Sequence, residues 1–108
     1  MIVAAHLAHK SSIAVKICGL KRAGDAAHAA RMGAAYLGAI MAGGPRLLTM
    51  EEARAVLGAR RHDVQRVVVF GNQRPDDVIV TVRGLDLDIA QLHGTCSPET
   101  IEKIRRET

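Results

Sequence analysis

Four short apolar runs each end in side chains able to bind an anion or move a proton. The first closes with Lys16-Ile17-Cys18-Gly19, and the second passes into Met41-Ala42-Gly43-Gly44-Pro45-Arg46. The third closes with Phe70-Gly71-Asn72 and the fourth with Gln91-Leu92-His93-Gly94. Lys16 and Cys18 are two residues apart, so on an extended strand they share a face, and Gln91 and His93 do the same. A cation beside a thiol lowers its pKa from a reference of about 8.5, which would let Cys18 act as a base or nucleophile near neutral pH. Plainer readings stand beside these. A lone cysteine after a strand also fits a small buried apolar residue, and an arginine after a Gly-Gly-Pro turn also fits a solvated surface. His93 and Cys96 offer two metal-capable groups without a third or fourth, short of the set a zinc site needs. Gly43-Gly44 lacks the spacing and the Lys-Ser/Thr ending of a phosphate loop. The neighbours that mark a papain-type cysteine are also missing.

The elements that must position these residues follow from the apolar pattern. β-rich runs fall at Ile13–Ile17, Ala35–Met41, Gln65–Phe70 and Asp88–Leu92. Between them lie segments with helical spacing. Arg22–Met32 is Ala-rich and is followed by Gly33, a good terminator. Thr49–Ala59 opens with Thr49 and has Glu52 three residues on, a capping box. Pro75–Arg83 starts with proline and two carboxylates, suited to the positive end of a helix dipole, and is expected to stop at Gly84. Ser97–Arg106 has Ser97 as N-cap, Pro98 behind it, acids early and Arg105 and Arg106 late. The order β-α-β-α-β-α-β-α predicts an α/β fold with a parallel sheet. Four such units fit either a small doubly wound sheet or half of an eight-stranded β/α barrel. In a barrel the active site lies at the C-terminal ends of the strands, where the chemically capable residues fall. The opposite ends carry what reads as ordinary surface charge, such as Asp63, Asp86 and Asp88.

Composition limits the function classes. The chain has 108 residues, 48% of them apolar, enough for one domain with its own core. Tyr36 and Phe70 are its only aromatics, so the core must be built from Ala, Val, Ile, Leu and Met. The net charge of +4 is scattered, with a single cluster at Arg60, Arg61 and Arg66, and few aromatics are present to stack bases. The charge therefore reads as a solvated surface that favours anionic substrates, without nucleic-acid binding. Two cysteines make no disulfide framework. Residues 1–12 read as a loosely ordered leader too short for a signal peptide or a membrane span, with residues 13–108 as one domain and the protein as cytoplasmic.

The same residues carry a resemblance. Lys16-Ile17-Cys18-Gly19-Leu20, with a helix from near Asp25-Ala26, resembles the opening strand and helix of the phosphoribosylanthranilate isomerase family. Pro45-Arg46-Leu47-Leu48-Thr49 and the helix at Glu51-Glu52-Ala53 resemble its second loop and helix. Val68-Val69-Phe70-Gly71-Asn72 resembles its third strand, and Gln91-Leu92-His93-Gly94 with Ser97-Pro98-Glu99 its fourth. Departures from the family pattern stand at Lys21, at Ala23-Gly24, at Gly71 and in the Met-Ala-Gly-Gly-Pro-Arg loop. The resemblance implies the N-terminal half of a (β/α)8 TIM barrel. It also implies an Amadori rearrangement of N-(5-phosphoribosyl)anthranilate in tryptophan biosynthesis that needs no cofactor. Carried over by position, Cys18 is the catalytic base and Arg46 holds the anthranilate carboxylate, a task for a planar two-pronged donor. Lys16, Asn72, Gln91 and His93 line the pocket.

The family's general acid and its phosphate-binding loops belong to the second half of the barrel. No substitute acid stands at the productive rim, so the isolated chain is expected to be weak or inactive. The alternative expectation is a non-catalytic, self-associating half-barrel module. A half barrel leaves its first and fourth strands as open edges, so a homodimer completing an eight-stranded assembly is the expected remedy.

Overall fold

The structure, a computed structural model, describes residues 13–108, and the expected leader at 1–12 lies outside them. The elements run β1 (Lys16–Ile17), α1 (Ala23–Arg31), β2 (Tyr36–Ile40), α2 (Met50–Leu57), β3 (Gln65–Phe70), α3 (Pro75–Leu85), β4 (Ile89–Leu92) and α4 (Pro98–Glu107). All neighbouring strands pair in parallel, in the order β1-β2-β3-β4. A doubly wound sheet reverses its strand order part-way, whereas a consecutive order keeps every crossover helix on one face. The chain is therefore half of a β/α barrel.

The period-two alternation of the strands separates the two faces of the sheet. Leu37, Ala39, Val68 and Phe70 point to the helix layer, where they are at most 1% exposed and pack with Ala26, Ala53, Val56, Val78 and Ile79. The residues between them, Gly38, Ile40, Val67 and Val69, point to the opposite, concave face. There the register aligns Gly38 with Val67 and Ile89, and Ile40 with Val69 and Gln91.

The helix starts follow their local signals. The Thr49 hydroxyl accepts from the Glu52 N–H at 3.1 Å, and the Glu52 carboxylate accepts from the Thr49 N–H at 2.8 Å, closing the capping box. This also holds the Glu52 carboxyl below its ordinary pKa. Ser97 caps α4 by accepting from the Thr100 N–H at 3.2 Å. Two helix ends share one device. After α1, Gly33 takes φ +96, its N–H donates to Ala30, and the Ala34 N–H donates to Ala29. After α3, Asp86 takes φ 51, its N–H donates to Arg83, and the Leu87 N–H donates to Val82. This is the paired 6→1 and 5→2 closure of a Schellman motif, with an aspartate in the left-handed position usually given to glycine. The expected stop at Gly84 is thus corrected. Gly84 lies inside α3, and Asp86 tolerates the left-handed region while its carboxylate meets Arg60 at 2.9 and 3.0 Å.

β1 is shorter than the expected Ile13–Ile17, because only Lys16 and Ile17 pair in register with β2. Val15 takes part only through its carbonyl, which accepts from Ala35 and Tyr36. Among the described residues no strand flanks β1 on its other side, and Ile13, Val15 and Ile17 are 75%, 49% and 38% exposed.

The reading of Arg66 as solvated charge is also corrected, while Arg60, Arg61, Asp63 and Asp86 are exposed. Strand alternation turns Arg66 to the helix face at the start of β3, where α2 and α3 end and leave carbonyls without intrahelical partners. Its side chain is 2% exposed, and its guanidinium donates to the carbonyls of Gly58 (2.5 Å), Leu85 (3.0 Å) and Asp86. Its backbone N–H donates to the Asp88 carboxylate at 2.7 Å, and Arg60 pairs with both Asp86 and Asp88. The cluster is a clamp that ties two helix ends to the strand between them. Among the described residues, no helix is long and apolar enough to cross a membrane.

Candidate active site

Lys16 and Cys18 leave β1 on the concave face, and the opposing strand meets them with a bare backbone. A Cβ on Gly38 would stand 3.0 Å from Lys16 Cε and 3.4 Å from Cys18 Sγ. Gly38 therefore forms the floor beneath both side chains. Lys16 starts level with Tyr36 in the lowest layer of the face and climbs across this floor, and its Nζ donates to Gln91 Oε1 on β4. One hydrogen bond thus spans the half barrel from its first strand to its last. The Cys18 thiol is exposed beside it.

Arg46 reaches the same place from the β2–α2 loop. Gly19 follows Cys18 directly and takes φ +76. A Cβ there would stand 2.6 Å from Arg46 Cζ and 2.9 Å from Nε, so the guanidinium lies against the Gly19 backbone. Glycine is required twice over, by its left-handed conformation and by this close approach. Lys16, Cys18 and Arg46 are therefore brought to one end of the sheet at the side of β1, and Lys16 reaches from there to Gln91 on β4.

Asn72 and His93 face a neighbouring space. With Gln73, Thr95, Cys96 and Ser97 they line a cavity of about 220 Å³ between the β3–α3 and β4–α4 loops. The His93 N–H donates to the Phe70 carbonyl at 2.8 Å, which fixes the root of that loop. Asn72 Oδ1 lies 4.0 Å from the position a Gly94 Cβ would take, so the tips of the two loops approach each other. Among the described residues, no group of three or more His, Cys, Asp or Glu side chains could hold a metal ion.

Sequence reasoning missed Gln73. Its Oε1 accepts from the Gly71 N–H at 2.6 Å while its Nε2 donates to the Met41 carbonyl, so one amide joins the β2–α2 and β3–α3 loops. Gly71 is pressed close there, since a Cβ would stand 3.0 Å from the Ala42 carbonyl. The sequence signal was a two-ended side chain just past a glycine at a strand end, but its partner is 32 residues away and no spacing rule reaches it.

The arrangement sets the Arg46 guanidinium against the residue that follows the exposed Cys18 thiol, which suits proton transfer next to an anionic group. The carboxylates in resolved ion pairs lie elsewhere. Asp86 and Asp88 belong to the Arg60 and Arg66 clamp, Asp76 pairs with Lys103, and Glu51 with Arg54.

Residues 15–108 match the family model described as PRAI, N-(5'phosphoribosyl)anthranilate (PRA) isomerase. An N-(5'-phosphoribosyl)anthranilate isomerase of Halorhodospira halophila is 41% identical over 93 residues, covering 85% of this chain and 45% of the relative. The crystal structure of phosphoribosyl anthranilate isomerase from Thermus thermophilus superposes with a TM-score of 0.79 at 41% identity, over 87% of this chain and 48% of that one. A phosphoribosyl anthranilate isomerase in complex with reduced 1-(o-carboxyphenylamino)-1-deoxyribulose 5-phosphate superposes at 0.81 with 30% identity, over 87% and 49%. The chain spans less than half the length of each of these proteins.

Proposed function

The chain belongs to the N-(5'-phosphoribosyl)anthranilate isomerase family, and from that premise we propose that it carries the base-bearing half of an isomerase site. In the reaction, protonation of the furanose ring oxygen opens the ring to an imine. A base then takes the proton from the adjacent carbon, and the resulting enamine becomes an aminoketose. Cys18 is the base. Arg46 holds the anthranilate carboxylate through a two-pronged contact, and Lys16 and Gln91 form the floor of the pocket. Asn72 and His93 line the neighbouring cavity between the β3–α3 and β4–α4 loops.

The observation that carries this reading is the convergence of Lys16, Cys18 and Arg46 at one end of the sheet, permitted by Gly19 and Gly38, with Lys16 reaching to Gln91 on β4. The acid for ring opening and the loops for the substrate phosphate come from a second set of four β/α units. Without them the chain turns over weakly or not at all, because each general acid or base contributes roughly 10²–10⁴-fold. A cytoplasmic setting agrees with the free thiols of Cys18 and Cys96.

The test is loss of phosphoribosylanthranilate fluorescence by the chain alone and with a C-terminal half from a relative, using Cys18→Ala as control. Turnover that needs both halves and vanishes in the control supports the reading. Turnover that survives Cys18→Ala refutes it.

Among the described residues β1 and β4 stand at the edges of the sheet, which supports a pairing partner as well. We propose a homodimer in which two half barrels complete eight strands. Light scattering at micromolar concentration tests it, and a monomer refutes it.

A further inference from the structure

β2 ends at Ile40, and Arg46 is carried by the loop that follows. The middle of that loop has little to hold it. Gly43 and Gly44 take φ 138 and 86, and a Cβ on either would meet no atom of the described residues within 4 Å. Glycines lose more conformational freedom on ordering than any other residue. The path of the loop, and with it the place of the guanidinium against Gly19, is therefore decided at its two roots. The far root is fixed by backbone and burial. Leu47 forms a parallel bridge with Ile40, the Leu48 N–H donates to the Ile40 carbonyl at 2.9 Å, and the Leu48 side chain is buried.

The near root is Met41-Ala42. The Met41 N–H donates to the Val69 carbonyl at 2.8 Å, which carries the β2–β3 ladder one step further. The Met41 carbonyl sets the direction in which the chain leaves the strand, and it accepts from Gln73 Nε2. Gln73 is itself held, because its Oε1 accepts from the Gly71 N–H at 2.6 Å. Gly71 gives Ala42 room to come in, since a Cβ there would stand 3.2 Å from the Ala42 Cβ and 3.3 Å from its Cα. Gly71 and the Met-Ala-Gly-Gly-Pro-Arg loop both depart from the family pattern, and they meet each other here.

We propose that Gln73 is a positioning residue, which orients the Met41 peptide, so sets the course of the β2–α2 loop, and thereby seats Arg46 on Gly19. The proposal rests on the reading of Arg46 as the holder of the substrate carboxylate. Gln73 acts from the β3–α3 loop, and β2 stands between β3 and β1, so its influence reaches Gly19 through the loop.

The Gly19 amide resonance of the isotope-labelled chain reports the guanidinium that lies against it. Gln73→Glu keeps the acceptor for the Gly71 N–H and loses the donor to Met41. It is expected to move the Gly19 peak toward its position in Arg46→Ala, and Gln73→Leu, which introduces no charge, is expected to move it the same way. Arg66→Met loosens β3 from its other end and is expected to leave the peak in place. A Gly19 peak unmoved by Gln73→Glu overturns the proposal. So does one unmoved by Arg46→Ala, or one moved equally by Arg66→Met, which would mark general loosening. In the two-half assay, Gln73→Glu is expected to raise KM about 10-fold with kcat within about twofold, and to add nothing in an Arg46→Ala background. Losses that add in the double variant overturn the link to Arg46. If Arg46→Ala leaves KM unchanged while Gly19 still responds to Gln73→Glu, the reading of Arg46 fails and the positioning by Gln73 stands.

Discussion

Replacing Arg66 with Met tests the clamp at the start of β3, because Met keeps most of the stem and removes every donor. Arg66 donates to three carbonyls, and only the bond to Leu85, at 3.0 Å, is fully buried. That carbonyl loses its partner outright, at about 1–3 kcal/mol. The part-buried carbonyls of Gly58 and Asp86 can turn to water, and each costs about 0.5–1.5 kcal/mol. Working against this, the guanidinium is costly to bury, since Arg66 Nε has no hydrogen-bond partner and burial pulls the pKa of the group down. Replacing buried ionic groups with apolar ones recovers part of such a cost. The balance is a loss of about 2–4 kcal/mol, a large share of the roughly 5–15 kcal/mol that holds a small domain folded. The assay is equilibrium urea unfolding followed by circular dichroism, with the slope unchanged and the midpoint lowered. Arg66→Lys, which keeps the charge and cannot reach three carbonyls at once, should fall between. A stability change within about 0.5 kcal/mol of zero would mean that desolvation cancels the three hydrogen bonds, and the clamp would then contribute nothing.

Gly19→Ala should displace the Arg46 guanidinium while adding backbone strain at φ +76, and in the two-half assay it should lower kcat/KM by about 10- to 100-fold. An unchanged value would separate Arg46 from substrate. Gln73→Leu strips partners from the Gly71 N–H and the Met41 carbonyl, and should cost about 1–3 kcal/mol in urea unfolding. Asp86 and Asp76 are held below the ordinary carboxylate pKa by hydrogen bonds from Arg60 and Lys103. Their folded values are depressed, so their contribution is complete above the unfolded pKa of about 3.9 and is lost as pH falls through the lower folded value. The urea midpoint should therefore drop as pH falls below about 4, and Asp86→Asn should make that drop shallower.

What the sequence conveyed depended on the range of the signal. Thr49 with Glu52, Ser97 with Pro98, and the proline before two acids at Pro75 each act within one helical turn, and the helices start there. The shared face of Lys16 and Cys18 was legible too, because a spacing of two on a strand decides it. Two local expectations still failed. Gly84 looked like a stop, yet the helix continues until Asp86 finds Arg60, 26 residues away. β1 looked five residues long because its residues are apolar, but only two of them pair in register with β2. In the candidate site, the residues at the strand ends were legible, while the contacts among them were not. Lys16 meets Gln91 across 75 residues, and Arg46 meets Gly19 across a loop. Arg66 was misread because a charged residue is rarely fully buried unless it is paired, and its partners are mostly backbone carbonyls, which carry no sequence signature.

β3 carries the clamp at one end and leads into Asn72 at the other. Asn72 stands six positions after Arg66, and at about 3.3 Å per step an extended chain spans some 20 Å. Effects of substitutions farther apart than about 7–10 Å, with no shared partner, generally add. The strand thus works as a spacer that insulates robustness from chemistry. A library built on the strand-end loops can explore new ligands while changes around Arg60 and Asp88 set the tolerance for them, and the two can be optimised in separate rounds and then combined.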